Sequence, residues 1–218
     1  MTTLWLIRHG EAHVNQPNDD GTYSLIDRHG LTDRGVEQAT RLRDRLVREG
    51  VRPNVVVTSS FRRAHQTASI VCAGLGTEPL VNHEVQEWRP GDDAEVIPVD
   101  DALGSWSRIL AGHDHDLRIT PGSESHNEFL SRADRALLQL ADDHADKTVL
   151  VFTHGGVIGR SFVTFLGLPA RSSLVGIRSR HTSITEWRRS PAHPEAGHPD
   201  PIWQLTRYND VAHLDDAE

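Results

Sequence analysis

The chain has 218 residues, enough for one well-buried domain, and its 37% hydrophobic and 25% charged residues are typical of folded proteins rather than disordered ones. A formal net charge of -8, with no run of Lys or Arg, argues against nucleic-acid and membrane-surface partners, which demand a basic face. A small anion stays within reach, because a few focused arginines can hold one whatever the global charge.

Cys72 is the only cysteine, so no disulfide framework exists within the chain and a cytoplasmic location is expected. Its surroundings, Ala68 to Ala73, read as the apolar face of a helix, which makes it a buried, inert thiol. The first residues lack a basic stretch and an apolar core of signal-peptide type. No apolar run approaches membrane-spanning length. A single domain over residues 1–218 is the expectation, and a homodimer stays open.

Leu4 to Ile7 opens the chain as a short buried strand that ends at Arg8, His9 and Gly10. A polar loop follows from Asn15 to Gly30. Thr32 suits a helix N-cap, with Val36, Ala39, Leu42 and Leu46 on one face until Gly50. Val55 to Val57 is a second strand that runs into Ser59 and Arg62. Arg63 to Ala73 reads as a helix closed by Gly74. The middle, Val85 to Thr120, is weakly patterned, with one helix around Asp101 to Leu110. A longer helix is expected from Glu124 to Asp142, after the Pro121-Gly122 break. Thr148 to Phe152 is the strongest strand and delivers Thr153 and His154. Val157 to Leu166 is helical, ended by Gly167. Ser183 to Trp187 and Trp203 to Tyr208 look like late strands. Between them the Pro- and His-rich segment 190–201 reads as a flexible loop.

Strands alternating with helices predict the α/β class, here a three-layer α/β/α sandwich with a mostly parallel central sheet. Ligands of such sheets bind beyond the carboxyl ends of the strands. Arg8-His9, Ser59 to Arg63, and His154 all sit at such ends and should share one pocket. Two arginines and two histidines there suit a phosphoryl group. Guanidinium forks match phosphate oxygens, a neutral imidazole can attack phosphorus, and a second imidazole can stabilise the equatorial charge.

Arg8-His9-Gly10-Glu11 with Asn15, Leu31 to Ala39, Ser59 to Ala68, Gly122 to Ser125 with Arg132, and Thr153-His154-Gly155 occur in that order. Together they resemble the histidine phosphatase superfamily, also called phosphoglycerate-mutase-like, over nearly the whole chain. The resemblance implies a metal-independent phosphomonoesterase of the histidine acid phosphatase type, needing no cofactor and acting on a small phosphorylated substrate. It implies that His9 becomes phosphorylated, that Arg8, Arg63 and His154 bind the phosphoryl oxygens, and that Asn15 assists. His154 is also counted as catalytic. Arg62 competes with Arg63 and is expected at the surface. The family's acid, a carboxylate after the third strand, selects Glu87, with Glu84 and Glu95 as rivals. Ala12, Ser60, His181 and the stretch Trp88 to Gly91 depart from the family pattern, and His13 and His65 lie beside motif residues.

Three rival readings follow from the same residues. A metal hydrolase would gather His9, His13 and His154 about a cation, but no Asp/Glu cluster with ligand spacing accompanies them. A phosphoglycerate mutase would carry a tryptophan soon after the first histidine motif, and Gln16 to Arg28 has none. A non-catalytic binding module would not need both histidines, both arginines and an acid.

Overall fold

In the computed structural model, residues 1–91, 95–110, 116–169, 177–192, 195 and 200–214 are described, the side chains of Asn15, Trp106 and Leu110 excepted. The elements run β1 (Thr2–Arg8), β2 (Thr22–Ser24), α1 (Asp33–Arg48), β3 (Val55–Thr58), α2 (Arg62–Leu75) and β4 (Leu80–Val81). They continue as β5 (Val96–Pro98), α3 (Val99–Leu110), α4 (His126–Asp143), β6 (Thr148–Thr153), α5 (Gly155–Leu166), β7 (Ile184–Ser190) and β8 (Ile202–Asp210).

Six of these strands form one sheet in the order β4-β3-β6-β1-β7-β8. The β4–β3, β3–β6 and β6–β1 pairs are parallel, whereas β7 runs antiparallel to both β1 and β8. Successive strand side chains face opposite sides, so each inner strand feeds two cores. Leu4, Leu6, Val57, Val149 and Val151 pack with Phe129, Leu137 and Ile158 of α4 and α5 on one side. Ile7, Val56, Leu150 and Phe152 pack with Leu42, Leu46, Val71 and Cys72 of α1 and α2 on the other. This is the expected three-layer arrangement. Burial raises the Cys72 thiol to about 11, as suits an inert side chain.

Capping side chains set the starts of α1 and α4. The Thr32 side chain accepts from the Gly35 N–H, and Ser125 and Glu128 form a reciprocal capping box on α4. Three expectations are corrected. Helix α2 runs through Gly74 to Leu75, and Gly76, at φ 66°, caps it. Gly74 faces α1, where a Cβ would come within 2.5 Å of the Arg43 side chain, so it serves close packing and not termination. Val36 is exposed, off the buried stripe of Ala39, Leu42 and Leu46.

The third correction concerns the polar segment after His9, which contains a short turn at His13–Asn15 and strand β2. Strand β2 pairs antiparallel with β5, which comes from the weakly patterned middle, and α3 packs on both. These pieces form a small cap beside the carboxyl edge of the main sheet. Half of the loop expected at 190–201 lies outside the described residues, and Ser190 itself pairs with Ile202. Among the described residues, no helix is long and apolar enough to cross a membrane.

The segment linking β4 to the cap is held by a buried ion pair. Arg132, 3% exposed, donates to both Glu124 carboxylate oxygens at 2.7 and 2.6 Å. It also donates to the carbonyls of Glu84, Gln86 and Glu87 at 2.8, 3.0 and 3.1 Å. Removing one partner of such a pair strands the other charge and these carbonyls. Arg132→Leu should therefore lower the unfolding free energy by about 3–5 kcal/mol in urea titrations. A loss within the ordinary surface range of ~0.5 kcal/mol would show that the pair does not hold this segment.

Candidate active site

The parallel register determines which residues meet. Arg8 lies opposite Thr153, and Thr58 opposite Phe152, so β1, β6 and β3 end together at one edge. The ladder continues one step further, with His9 N–H on the Thr153 carbonyl at 3.0 Å and Ser59 N–H on the Phe152 carbonyl at 2.9 Å. His9 and His154 thus leave adjacent strands with ring centroids 5.2 Å apart.

The loop after His9 is tied down by motif residues. The Gly10 N–H donates to Thr67 Oγ1 at 3.0 Å, and the Glu11 N–H to Gln38 Oε1 at 2.8 Å. Gly35 at the start of α1 sits so close that a Cβ would meet the Glu11 carbonyl oxygen at 1.9 Å. Thr67, Gln38 and Gly35 therefore serve the loop's conformation.

Protonation of His9 follows from its partners. Arg63 Nε can only donate, and it approaches His9 Nε2 at 3.1 Å, so Nε2 carries the lone pair. Nδ1 then bears the hydrogen and donates to the Gly10 carbonyl at 2.6 Å. Burial, then the charges of Arg63 and Arg8, holds the His9 pKa well below the ordinary histidine range. Burial, then Arg63, His9 and Arg8, does the same for His154. His154 Nε2 lies 2.8 Å from Ser59 Oγ, while its Nδ1 is buried with no hydrogen-bond partner among the described residues. Arg8 donates to the Ser179 carbonyl, and its own Nε is buried without a partner among the described residues. The result is a neutral, nucleophile-ready imidazole among buried cations, with polar atoms unspent. A tetrahedral oxyanion supplies the acceptors such a cluster lacks.

The three candidate carboxylates separate. Glu84 is exposed and pairs with Arg89, and Glu95 is exposed and pairs with Arg28. Glu87 is half-buried, faces the same cavity as Arg63, and accepts the Gly156 N–H at 2.9 Å. A Cβ on Gly156 would lie 2.2 Å from Glu87 Oε1, so this second glycine makes room for the Glu87 side chain. Burial lowers the Arg8 and Arg63 pKa values, and the nearby Glu87 raises both. Of the two arginines, Arg63 is buried beside His9, while Arg62 is exposed and donates to the Arg28 carbonyl at 3.0 Å. The side chain of Asn15 lies outside the described residues.

Asp27 escaped the sequence reading. Its Oδ2 accepts from the Arg63 N–H at 2.7 Å and from Arg63 Nη1 at 3.2 Å, and its Oδ1 accepts from the Gly30 N–H at 3.0 Å. It anchors Arg63 from a loop that otherwise reads as polar filler. The available signal was one acidic residue just before the tight turn at Gly30. His181, placed only as a departure from the family pattern, has its ring 5.7 Å from His9. His13 instead pairs with His29 at 5.8 Å, and His65 is exposed on α2. Among the described residues no three His, Cys, Asp or Glu side chains gather as metal ligands would.

Fold and site together define an α/β protein with a buried histidine–arginine pocket at the carboxyl edge of its sheet. The profile of the histidine phosphatase superfamily (branch 1) matches residues 4–197, and the chain belongs to that family. It is 30% identical over 175 residues to the adenosylcobalamin/alpha-ribazole phosphatase of Escherichia coli K12, covering 78% of this chain and 81% of that protein. It is 28% identical over 224 residues to a probable phosphoglycerate mutase GpmB of Cronobacter sakazakii, covering 99% and 96%. The crystal structure of the alpha-ribazole phosphatase from Shigella flexneri superposes with a TM-score of 0.75 at 26% identity, covering 96% of this chain and 97% of that one.

The depressed histidines make stability fall in acid. An unfolded chain binds protons at 6.5 that the native His9, His154, His181 and His213 refuse, so stability is full above that pH and declines below it. For His181, pushed down to about 4 by burial and by Arg8 and Arg34, the decline spans roughly that window. His181→Asn should flatten the fall in urea-derived stability between pH 6.5 and 4.5 by up to ~1.4 kcal/mol per pH unit. An unchanged slope would mean that His181 titrates as it does in the unfolded chain.

Proposed function

We propose that the chain hydrolyses the phosphate monoester of a small metabolite through a phosphohistidine on His9, with neither metal nor organic cofactor. The observation that carries this reading is the unprotonated Nε2 of His9, which accepts from Arg63 inside the cluster of Arg8, Arg63 and His154. Membership of the superfamily and the resemblance to a phosphatase of known name support it.

In the first step His9 Nε2 attacks phosphorus while the bond to the alcohol oxygen breaks. Glu87 gives its proton to that oxygen, so the alcohol leaves neutral. Arg63 turns from His9 Nε2 to the phosphoryl oxygens, which Arg8 and His154 also hold. The Gly10 carbonyl accepts from Nδ1–H and so favours the charge that builds on the ring. In the second step water attacks phosphorus, the P–N bond breaks, and Glu87 recovers a proton from the water. Ester and water become alcohol and phosphate, and His9 returns to its neutral form.

An acid phosphatase reading fits the same chemistry. Burial and two arginines hold the His9 pKa well below the ordinary histidine range, so its nucleophilicity persists in acid. The substrate is the only partner this reading needs, without nucleic acid or membrane, and the single cysteine supports a cytoplasmic setting. A mutase reading is favoured by the full-length likeness to the probable phosphoglycerate mutase. It requires that phosphate return to a second hydroxyl and not appear free.

Quenching with labelled p-nitrophenyl phosphate should leave alkali-stable, acid-labile phosphate on His9, with inorganic phosphate released at each turnover in excess chelator. Full turnover by His9→Ala, or dependence on an added metal, would sink the mechanism. Glu87→Gln should slow alkyl phosphates by about 10²–10⁴-fold. Nitrophenolate leaves without a proton, so the same variant should give a burst with p-nitrophenyl phosphate and then stall. Equal, modest losses on both esters without a burst would move the acid elsewhere.

A further inference from the structure

The pocket at His9 accounts for the phosphoryl end of a substrate and leaves its alcohol end unassigned. Beside Arg63 and Glu87 opens a cavity of about 630 Å³, between the cap and the carboxyl edge of the sheet. Tyr23, Leu25, Ile26 and Leu103 line it from the cap, and Phe61 and Trp88 from the core. Leu103 is 57% exposed on α3 although it faces this cavity, apolar surface that an occupant would cover. The space lies within the range that holds ligands of drug size, well beyond what a three-carbon acid fills.

Charge in the wall is as telling as its apolar surface. The described lining carries two carboxylates, Asp27 and Glu87, and two cations, Arg62 and Arg63. Arg63 is committed to Asp27 and His9. Arg62 is exposed and donates to the Arg28 carbonyl. Asp27 is already paired with Arg63, so a carboxylate or second phosphate on the alcohol would find no buried cation that is uncommitted among the described residues. A flat apolar body would instead meet aromatic and aliphatic walls and strand no charge.

Resting on the phosphatase reading, we propose that the substrate is the monophosphate of an alcohol with a bulky, apolar, preferably aromatic body and no second anionic group. The cavity under the cap is its binding site. The core then reads the phosphate, and the cap reads the alcohol.

Three phosphates of primary alcohols separate body from leaving-group chemistry: 2-(2-naphthyl)ethyl phosphate, ethyl phosphate and 3-phosphoglycerate. The naphthylethyl ester should exceed both others in kcat/KM by about 10²-fold or more, the scale on which a hydrophobic pocket discriminates. Leu103→Glu, at an exposed helical position, should cut the naphthylethyl-to-ethyl ratio by roughly tenfold or more, and Leu103→Met should largely retain it. Circular dichroism and melting curves would establish that both variants fold. Preference for ethyl phosphate or 3-phosphoglycerate, with phosphohistidine still trapped, would overturn this inference and spare the phosphatase reading. A ratio indifferent to Leu103→Glu would also overturn it, since the body would then lie elsewhere. Absence of phosphohistidine with every ester would remove both.

Discussion

Strand β6 lies between β1 and β3 in parallel register, and both neighbours end where it ends. The chain crosses to the next strand only after His9, Ser59 and His154 have emerged, each within one residue of the last ladder bond. A slip of one residue would turn every side chain of a strand to the opposite face. Both faces are buried, Leu4 and Leu6 against α4 and α5, Ile7 against α1 and α2, so neither core tolerates that slip. The two cores therefore hold the register, and the register holds the histidines 5.2 Å apart.

That geometry concentrates positive charge where water is scarce. Arg8 and Arg63 reach the two rings from different elements, and burial with these charges keeps both imidazoles neutral. Asp27 partly balances Arg63 and fixes its backbone and side chain together. Glu87 stands opposite the cations but spends its oxygens on the Gly156 N–H and its neighbour Trp88 N–H, in a segment clamped by Arg132. The cluster is short of anionic acceptors, and the depressed histidines cost stability in acid. A bound phosphoryl group relieves the first of these conditions directly.

The cap has a different origin from the sheet. Strand β2 arises between β1 and α1, and β5 and α3 arise from the stretch between β4 and α4. They meet only because both segments are anchored at the same edge of the sheet. Tyr23 of β2 and Ala102 and Leu103 of α3 line the cavity beside Arg63. On the proposed reading, the residues that hold phosphate and those around the rest of the substrate thus belong to separate parts of the fold.

Sequence alone determined the strands that are buried on both sides, because unbroken apolar runs such as Thr148 to Phe152 have no other stable use. It determined the helix start at Thr32 through its capping side chain. It also determined that Arg8-His9, Arg63 and His154 follow strand ends, and the family motifs singled out Glu87 over two rivals. It did not show that Gly74 is a packing glycine, since Gly74 and Gly76 offer the same local signal and only contact with Arg43 tells them apart. Nor did it show the pairing of β2 with β5, three-residue strands some seventy positions apart and too short for a side-chain pattern to stand out. Asp27 beside Arg63, His181 beside His9, and the apolar cavity under the cap belong to the same class. Each depends on contacts between segments distant in the chain, and side-chain periodicity carries no information about which distant segment a residue will face. Only the closed tertiary structure, with its register held by two cores, decided those.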